Sequence, residues 1–555
     1  MKISRLILTL VSIMLLGGAA AQENTQPARS KIITYENLNK ALSAVADSSA
    51  FYSQLKNIEV ANEYNDTFFF PFRWVGRLLF LHVEGCAAPG KVYINDKLVG
   101  TFTDAKGHSE FDITKVAQEG NNTVRIEFST EDQLTKSTPK DNSSVGVAYL
   151  TSEPKVRIRD LSVQTNINDG INGALPIGAI AKSHFMNPKI VNIKFELYDP
   201  SGERIDMQTK NVNFENFSEE TVWFSTLVRD IAIWSAETPI FYIAVLSVEY
   251  EGFKTQYIST KIGFREVAFN DKTITINGKQ ISLGNVVEIP YRPEYAIGNS
   301  ESKKKIEQLF VDLKSRGVKV VTPGDGQFAE NFYDIADKVG MYVVDMAAFN
   351  PTSESQIFEL PTYSNEVTNR ITSRFISHRN HPCVIAFSMG NSPDGFNLCE
   401  AYLSTKKLGD TRPILAENVR NMWNSDIYFT RDNSQPRYAD RPVLNIESIN
   451  NALVRENNFQ PISIKVQDSS YQNFEIMNNS DFINLGNYKI CYNIMRNDKV
   501  IKSGEIPLTS DMTQQITLSA EDVKIKGKKL HTLNLEIVPK HHGVKNLLNK
   551  SFQLN

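Results

Sequence analysis

The hydrophobic pattern changes its period part-way along this 555-residue chain and later changes back. Between about residues 281 and 447, helical spacing such as that of residues 306–313 alternates with short apolar runs such as Val384–Phe387. Helices that alternate with apolar strands require crossover connections, and hence a parallel sheet covered on both faces. Seven such strands can be counted, so the middle of the chain is predicted to be a parallel α/β unit.

The segments on either side have the pattern of antiparallel sheets. Short apolar runs alternate with Gly, Asn and Asp turns over residues 68–128, and a second all-β stretch of immunoglobulin-like size covers residues 156–265. Alternation returns beyond Pro461. We therefore predict a first sandwich with an N-terminal leader over residues 22–155, a second over 156–265, the α/β unit over 266–455 and a last sandwich over 456–555.

The N-terminus has the three parts of a secretory signal peptide. Lys2 and Arg5 precede an apolar run over residues 6–16, and Ala19–Ala21 supplies the small residues of a cleavage site. The run is shorter than the roughly 20 residues that span a membrane. We expect cleavage after Ala21 and an exported protein, periplasmic or secreted, without a membrane span; the alternative is an uncleaved anchor.

Charge and composition exclude several classes of function. The net charge is −3, with acidic and basic residues intermixed, so a nucleic-acid partner is not expected. The sequence contains no glycine-rich phosphate loop or serine nucleophile elbow. Small polar or glycan ligands are the better prediction. The four cysteines are too scattered for a disulfide framework or a metal cluster, and are expected to be buried small side chains: Cys86, Cys383, Cys399 and Cys491.

Local sequence carries a more specific resemblance. The segments Leu81–Gly85, Trp234–Tyr242, Tyr333–Asp345 and Arg379–Asn391 occur in the order of similar segments in glycoside hydrolase family 2, of the β-galactosidase type. The chain resembles that family from about residue 60 onward. The resemblance implies a multidomain β plus α/β fold: a jelly-roll β-sandwich, an immunoglobulin-like β-sandwich, a shortened (β/α)8 TIM-type barrel and a C-terminal β-sandwich. It also implies a β-linked sugar substrate and a retaining mechanism.

A retaining glycosidase needs two carboxyl groups about 5–5.5 Å apart, one as acid and one as nucleophile. By resemblance the nucleophile is Glu447, after the seventh strand; the alternative is a rim residue of a shortened barrel. The family acid follows Gly390-Asn391, where this chain has Ser392, whose hydroxyl cannot act as an acid near neutral pH. Asp394 is the nearest replacement, and its alternative role is a solvated turn carboxylate.

Other family positions are kept only in part. Asn391 and Asn95 match sugar-contacting asparagines, although an Asn beside glycine turns is often structural. Met346 stands where the family has a metal-binding Glu, and a thioether is not a ligand for hard divalent cations, so no Mg²⁺ or other cofactor is expected. Only about fifteen residues separate Glu447 from the last sandwich, so we expect an incomplete barrel with an edge or gap at the substrate side.

These observations leave three hypotheses, from different classes of function. The first is a catalytically impaired family member that binds a glycan or a protein partner. The second is an active retaining β-glycosidase that uses Glu447, with Asp394 or a substrate group as the acid. The third is a structural role in the envelope, with an envelope protein as partner. The loss of the family acid favours the first and third hypotheses, and retention of Glu447 and Asn391 favours the second.

Overall fold

The computed structural model describes most of the chain from residue 26 onward. The described residues are 26–55, 58–60, 63–86, 88–104, 107–129, 144–270, 272–292, 295, 298–324, 328, 330–347, 349, 356–390, 395–417, 423–431, 441–456, 458–467, 471–496, 499–510, 513–518, 531–540 and 548–554. The predicted signal peptide, residues 1–21, lies outside them. Within these ranges no helix combines the length and the apolar character needed to cross a membrane.

The first domain is an antiparallel sandwich preceded by a short helix, α1, Leu38–Ser43. One sheet has the order β1-β9-β4-β7, with β2 paired to β9, and the other has the order β3-β8-β5-β6. Strand β4 is buried along its whole length. The strands are β1 Tyr52–Gln54, β2 Ile58–Val60, β3 Glu63–Phe70, β4 Leu78–Glu84, β5 Gly90–Ile94, β6 Lys97–Phe102, β7 His108–Asp112, β8 Gly120–Phe128 and β9 Ser144–Glu153.

The second domain is also an antiparallel sandwich. Its sheets have the orders β10-β12-β11, with β15 paired to β12, and β14-β13-β16-β17. A small sheet, β18-β19-β20, leads into the third domain. The strands are β10 Val156–Val163, β11 Asn166–Asn168, β12 Asn172–Ser183, β13 Lys189–Tyr198, β14 Arg204–Phe214, β15 Glu219–Val228, β16 Tyr242–Tyr250, β17 Phe253–Ile262, β18 Val267–Phe269, β19 Ile274–Ile276 and β20 Lys279–Gln280.

The third domain is a barrel of seven parallel strands that closes on itself. Each strand pairs with the next, and the last pairs with the first. The prediction of a gap in the barrel is therefore wrong. Val286 pairs with Ile446 and Val287 pairs with Glu447, so the seventh strand closes the barrel directly against the first. The strands are β21 Val286–Ile289, β22 Val320–Pro323, β23 Tyr342–Met346, β24 Val384–Ser388, β25 Ile414–Glu417, β26 Tyr428–Thr430 and β27 Val443–Ser448.

Helices cover the outside of the barrel, as the 3.6-residue pattern predicted. The longest begins where the Asn299 side chain accepts hydrogen bonds from the amides of Glu301 and Ser302, and it ends before Gly317, whose φ is 77°. Phe328 lies before the second helix rather than in it. The helices are α2 Ser300–Ser315, α3 Asn331–Val339, α4 Ser364–His378, α5 Phe396–Lys406 and α6 Ile449–Leu453.

The fourth domain is a sandwich of two antiparallel sheets, with the orders β28-β29-β32 and β31-β30-β33-β34. Its strands are β28 Ile462–Val466, β29 Asn473–Asn478, β30 Tyr488–Arg496, β31 Lys499–Pro507, β32 Thr513–Thr517, β33 His531–Pro539 and β34 Leu548–Leu554. The predicted series of sandwich, sandwich, shortened barrel and sandwich is thereby confirmed.

A buried ionic network joins the leader to the first two domains. Arg29 forms ion pairs with Glu110 and Glu153, and Arg157 of β10 bonds to Glu153 at 2.5 Å. All four side chains are at most 2% exposed. Because removing one member leaves an uncompensated buried charge, this network fixes the leader to the domain junction.

The four cysteines are free thiols, as predicted. Cys86 and Cys383 are buried, whereas Cys399 and Cys491 are only half-buried. The expectation that all four are buried small side chains is thus right for two of them.

Candidate active site

Inward-facing side chains stand at the carboxyl ends of the described barrel strands. Paired residues of parallel strands share a side of the sheet, and Glu288 pairs with both Thr322 and Ser448, while Met346 pairs with Ser388. In TIM barrels this end carries the active site. We call it the barrel mouth.

Three charged residues meet in the barrel mouth. Arg431, directly after β26, donates from Nη1 and Nη2 to the Glu288 carboxylate at 2.5 and 2.7 Å. It also donates from Nε and Nη2 to Glu417, the second of these bonds at 3.2 Å. Glu288 and Glu417 belong to the first and fifth strands, so the contact crosses the barrel interior. We call these three residues the mouth clamp.

The mouth clamp is partly shielded from water. Glu417 is 1% exposed, Glu288 23% and Arg431 38%. Hydrogen bonds to Glu288 and to Glu417 raise the pKa of Arg431 above its ordinary value. The clamp therefore holds both carboxylates against a permanent cation.

A glycine makes room for one carboxylate of the clamp. A Cβ at Gly324, the residue after β22, would lie 2.4 Å from Glu288 Oε1. The carboxylate thus fills space that any other residue at position 324 would occupy.

Glu447, the predicted nucleophile, faces away from the barrel mouth. It pairs with Val287 rather than with Glu288, so it lies on the outer side of β27. Its carboxylate forms an ion pair with Arg455 and accepts a hydrogen bond from Asn285 at 3.3 Å. The assignment of Glu447 as nucleophile stays a prediction, and this placement argues against it. The alternative interpretation, a residue outside the substrate site, fits the contacts.

The other predicted residues of the fourth strand's loop lie outside the described residues: Asn391, Ser392 and Asp394. The chain leaves β24 through Gly390, whose carbonyl accepts a hydrogen bond from the Glu417 amide at 3.1 Å. The loop that contains these three predicted residues therefore starts beside the mouth clamp.

Asn95 lies in the turn between β5 and β6, with φ at 50°. Its amide donates to the Val116 carbonyl at 3.1 Å and to Asn122 at 2.8 Å, and its oxygen accepts from the Thr123 amide at 3.0 Å. These hydrogen bonds stabilise the turn, so the contacts of Asn95 support a structural role. Sugar binding by Asn95 stays a prediction.

Sequence comparison with known families settles the relationship. The sequence model described as "Glycosyl hydrolases family 2, TIM barrel domain" matches residues 267–489, and that of "Glycosyl hydrolases family 2" matches residues 156–265. Together they cover more than half of the chain. This chain belongs to glycoside hydrolase family 2.

Curated family 2 relatives include the β-galactosidase of Priestia megaterium (strain DSM 319 / IMG 1521), 26% identical over 64% of this chain and 36% of the relative. That of Staphylococcus xylosus is 25% identical over 61% of this chain and 34% of the relative. The chain thus spans about a third of the length of these relatives.

Solved family 2 structures share the fold. A β-glucuronidase of Bacteroides uniformis aligns with a TM-score of 0.60 and 14% identity, over 96% of this chain and 80% of that one. A family 2 member from Bacteroides cellulosilyticus DSM 14838 aligns with a TM-score of 0.59 and 14% identity, over 86% and 81%.

An apolar residue, Met346, stands where the family resemblance places a metal-binding Glu. Met346 is fully buried on the inner side of β23, and its neighbour Asp345 points outward. The Asp345 carboxylate accepts hydrogen bonds from Tyr333 at 2.5 Å and from Arg374 at 3.3 Å, and it contacts His378 at 2.8 Å. Neither residue offers a free oxygen ligand to the mouth.

A buried histidine network on the outside of the barrel was not predicted from the sequence. His381 Nδ1 lies 2.6 Å from Asp337 and its Nε2 lies 2.8 Å from Glu330. Burial opposes the charged ring, but the two carboxylates raise the pKa of His381 well above its ordinary value. Burial also opposes ionisation of Glu330, yet His381 lowers the pKa of that carboxyl to about 2. Local sequence gives no signal for this arrangement, because its members come from separate elements.

Two groups of side chains have ligand atoms within 4.8 Å of one another, as a metal site would require: Asp337, His381 and Cys383, and His82, Glu110 and Glu153. In the first group, Asp337 already bonds to His381 and to the Cys383 amide. In the second group, the carboxylates already pair with arginines. Ion pairs account for both groups.

Proposed function

We propose that this chain is an exported family 2 protein that binds a β-linked galactose-type sugar or glycan at the barrel mouth and hydrolyses it poorly or not at all. The observation that carries the proposal is the mouth clamp. The two inward-facing carboxylates of the described mouth, Glu288 and Glu417, are both bound by Arg431. A retaining mechanism needs one carboxyl group that is protonated and one that is free to attack.

The sequence supports the same interpretation from another position. Ser392 stands where the family places its acid, and a lost general acid typically slows a reaction by about 10²–10⁴. Glu447 bonds to Arg455 on the outer side of the barrel. Neither position supplies an acid or a nucleophile in the mouth.

Sugar binding is compatible with the same mouth. Ligand sites combine apolar or aromatic side chains with a few fixed polar groups. Tyr291, two residues beyond β21, is half-buried, and its ring packs against Phe328 at 6.4 Å. Tyr291 follows Glu288 of the mouth clamp by three residues, on the segment that leaves β21.

An active glycosidase is the second candidate, and one distance favours it. Glu288 and Glu417 bond to the same nitrogen, Arg431 Nη2, at 2.7 and 3.2 Å, so those oxygens lie no more than about 6 Å apart. That is close to the roughly 5–5.5 Å of a retaining pair. If a sugar displaced Arg431, these two carboxylates would have the required spacing.

Release of dinitrophenol from activated β-glycosides separates the two candidates. We expect no turnover above that of a Glu288→Gln, Glu417→Gln double variant, because activated leaving groups remove the need for an acid but not for a nucleophile. Turnover by the parent that is abolished in the double variant and kept in Glu447→Gln would establish the active candidate. Turnover lost in Glu447→Gln alone would restore the nucleophile predicted from the sequence.

Binding is measured on the same proteins by calorimetry with methyl β-galactoside and β-linked galactose oligosaccharides. We expect Tyr291→Ala to weaken binding about tenfold, and Phe253→Ala, an aromatic 75% exposed in the second domain, to leave it unchanged. The glycan proposal would be overturned if no sugar binds, or if both variants bind as tightly as the parent. Either outcome would favour an envelope protein as partner.

Export is tested by the mass of the mature protein and by cell fractionation. The proposal expects a chain that begins at Gln22, in the periplasm or the medium. A protein that keeps Met1 and stays with the cytoplasmic fraction would overturn it.

A further inference from the structure

A cavity of about 310 Å³ separates the second domain from the underside of the barrel. Thr165 and Asn166 line it from the second domain, and the loops before β24 and β25 line it from the barrel. These loops precede their strands, so the cavity lies at the end of the barrel opposite the mouth. It is independent of the mouth clamp.

Three arginines line this cavity, and two of them are neutralised. Arg379 donates to Asp160 at 2.8 Å, and Arg412 bonds to both oxygens of Asp410, at 2.9 and 2.5 Å. The third is Arg265. Within the described chain its guanidinium makes no hydrogen bond or ion pair, and its Nε is buried without a partner. Arg265 is thus a cation at the wall of the cavity whose guanidinium has no hydrogen-bonded partner among the described residues.

The surroundings of Arg265 disfavour its charge. Burial and the neighbouring Arg412 lower the pKa of Arg265 to about 10. Glu266, the next residue, also lines the cavity, but no ion pair joins it to Arg265 among the described contacts. A buried charge without a partner destabilises a protein by several kcal/mol, so native proteins rarely retain such a charge unless it has a function.

Arg379 and Arg412 are paired with Asp160 and Asp410, so Arg265 and Glu266 are the charged groups of the lining that remain. A guanidinium presents a planar fork of donors that matches the oxygens of carboxylate, sulfate and phosphate groups. Asn166, also of the second domain, adds an exposed amide to the lining. The cavity volume of about 310 Å³ is that of a small-ligand site, and such sites are frequent at domain interfaces.

We propose that this interdomain cavity binds a small oxyanion group, a carboxylate, sulfate or phosphate, with Arg265 as its counter-ion and Asn166 as a second donor. The bound group lies in the cavity between the second domain and the barrel. It thereby stabilises their arrangement without taking part in chemistry at the mouth.

The test measures the melting temperature and calorimetric affinity of the mature protein with sodium glucuronate, sulfate and phosphate, at ionic strength held constant with chloride. Methyl β-galactoside is the neutral control. We expect a saturable rise in melting temperature with at least one oxyanion, and the identity of that oxyanion separates a planar carboxylate from a tetrahedral group. The Arg265→Met variant should weaken this binding at least tenfold and be no less stable than the parent without ligand, because the unpaired charge is gone.

The Arg73→Met variant, in an exposed turn of the first domain, should bind like the parent. If Arg265→Met does not fold, Asn166→Ala gives the same readout, with an expected loss of about threefold or more. Equal shifts in the parent and in both cavity variants, or no shift with any oxyanion, would overturn the proposal. Arg431→Gln should keep the oxyanion response, so failure of the glycan proposal and failure of this one are distinguishable.

Discussion

Glu288 of the first barrel strand and Glu417 of the fifth both bind Arg431, which follows the sixth strand. This relationship joins two non-adjacent strands across the barrel mouth through ion pairs. It also uses the two inward-facing carboxylates that the described mouth contains, while Glu447 pairs with Arg455 outside the barrel. The mouth is therefore organised for a fixed geometry, and the clamp is the first feature to test.

Replacing Arg431 with Gln should destabilise the protein by about 2–3 kcal/mol. The change leaves Glu417, which is 1% exposed, without its counter-ion, and breaking a fully buried pair costs about 3–5 kcal/mol. The partial exposure of Arg431 reduces that cost, because water screens the pair. Urea denaturation at neutral pH measures the free energy of unfolding.

The matched control for this change is Lys338→Met, which breaks an exposed ion pair with Glu307. Its expected cost is within about 1 kcal/mol. Equal effects of the two substitutions would mean that the clamp is no more than a surface ion pair.

Stability should fall on both sides of a pH window set by His381 and Glu330. The raised pKa of His381 contributes stability that is complete below its unfolded value of 6.5 and is lost as pH rises through the folded value. Glu330, with a folded pKa of about 2, contributes above its ordinary 4.5 and loses this contribution as pH falls towards 2. The free energy of unfolding, measured from pH 3 to 9, is expected to be highest between about 4.5 and 6.5.

The His381→Gln variant should lower that maximum by about 3–5 kcal/mol and flatten the alkaline decline. Lys31, which also faces Glu330, keeps part of the acid decline in place. His184→Gln is the control: burial lowers the pKa of His184 to about 4, so this ring is neutral on the alkaline side. An unchanged alkaline decline in His381→Gln would show that other groups cause it.

The parts of the fold that could be predicted from the sequence are those with a local signal. The repeat of helix and apolar strand predicted a parallel α/β unit of seven strands, because a 3.6-residue period and a wholly apolar run are each visible in a short window. That this unit is a barrel was implied by the family resemblance. Closure of seven strands was not predictable, since it depends on the register of Val286 against Ile446. For the same reason the side on which Glu447 points was not predictable, because a shift of one residue reverses it.

The site was harder to predict, because its parts are distant in sequence. No local pattern singles out Glu288, Glu417 or Arg431. All three stand at the ends of strands, which sequence alone locates only to within a residue or two. The ion pairs among them depend on barrel curvature, which no local pattern encodes.

Replacing Asn95 with Ala should reduce stability and leave sugar affinity unchanged within about twofold. Three hydrogen bonds of the turn are lost, and alanine is strained at φ 50°, so a cost of about 2–3 kcal/mol is expected. Asn95→Gly, which tolerates this φ, should cost less. A fall in calorimetric affinity larger than the fall in stability would favour the sugar-contacting role instead.

Two glycines with the same φ allow a controlled test of how closely the second domain packs against the barrel. Gly317 and Gly340 end α2 and α3, and both have φ of 77°. A Cβ at Gly317 would meet nothing within 4 Å, whereas a Cβ at Gly340 would lie 2.2 Å from the Ala236 carbonyl oxygen. The conformational penalty is therefore shared, and only the contact differs.

Gly317→Ala should cost about 1–2 kcal/mol, the penalty of a left-handed residue with a side chain. Gly340→Ala should cost about 1–3 kcal/mol more, because either the Ala236 backbone or the end of α3 must shift. Equal unfolding free energies for the two variants would contradict close packing of Gly340 against Ala236. A larger loss in Gly340→Ala, with the oxyanion response of the Arg265 cavity also weakened, would show that this contact sets the distance between the second domain and the barrel.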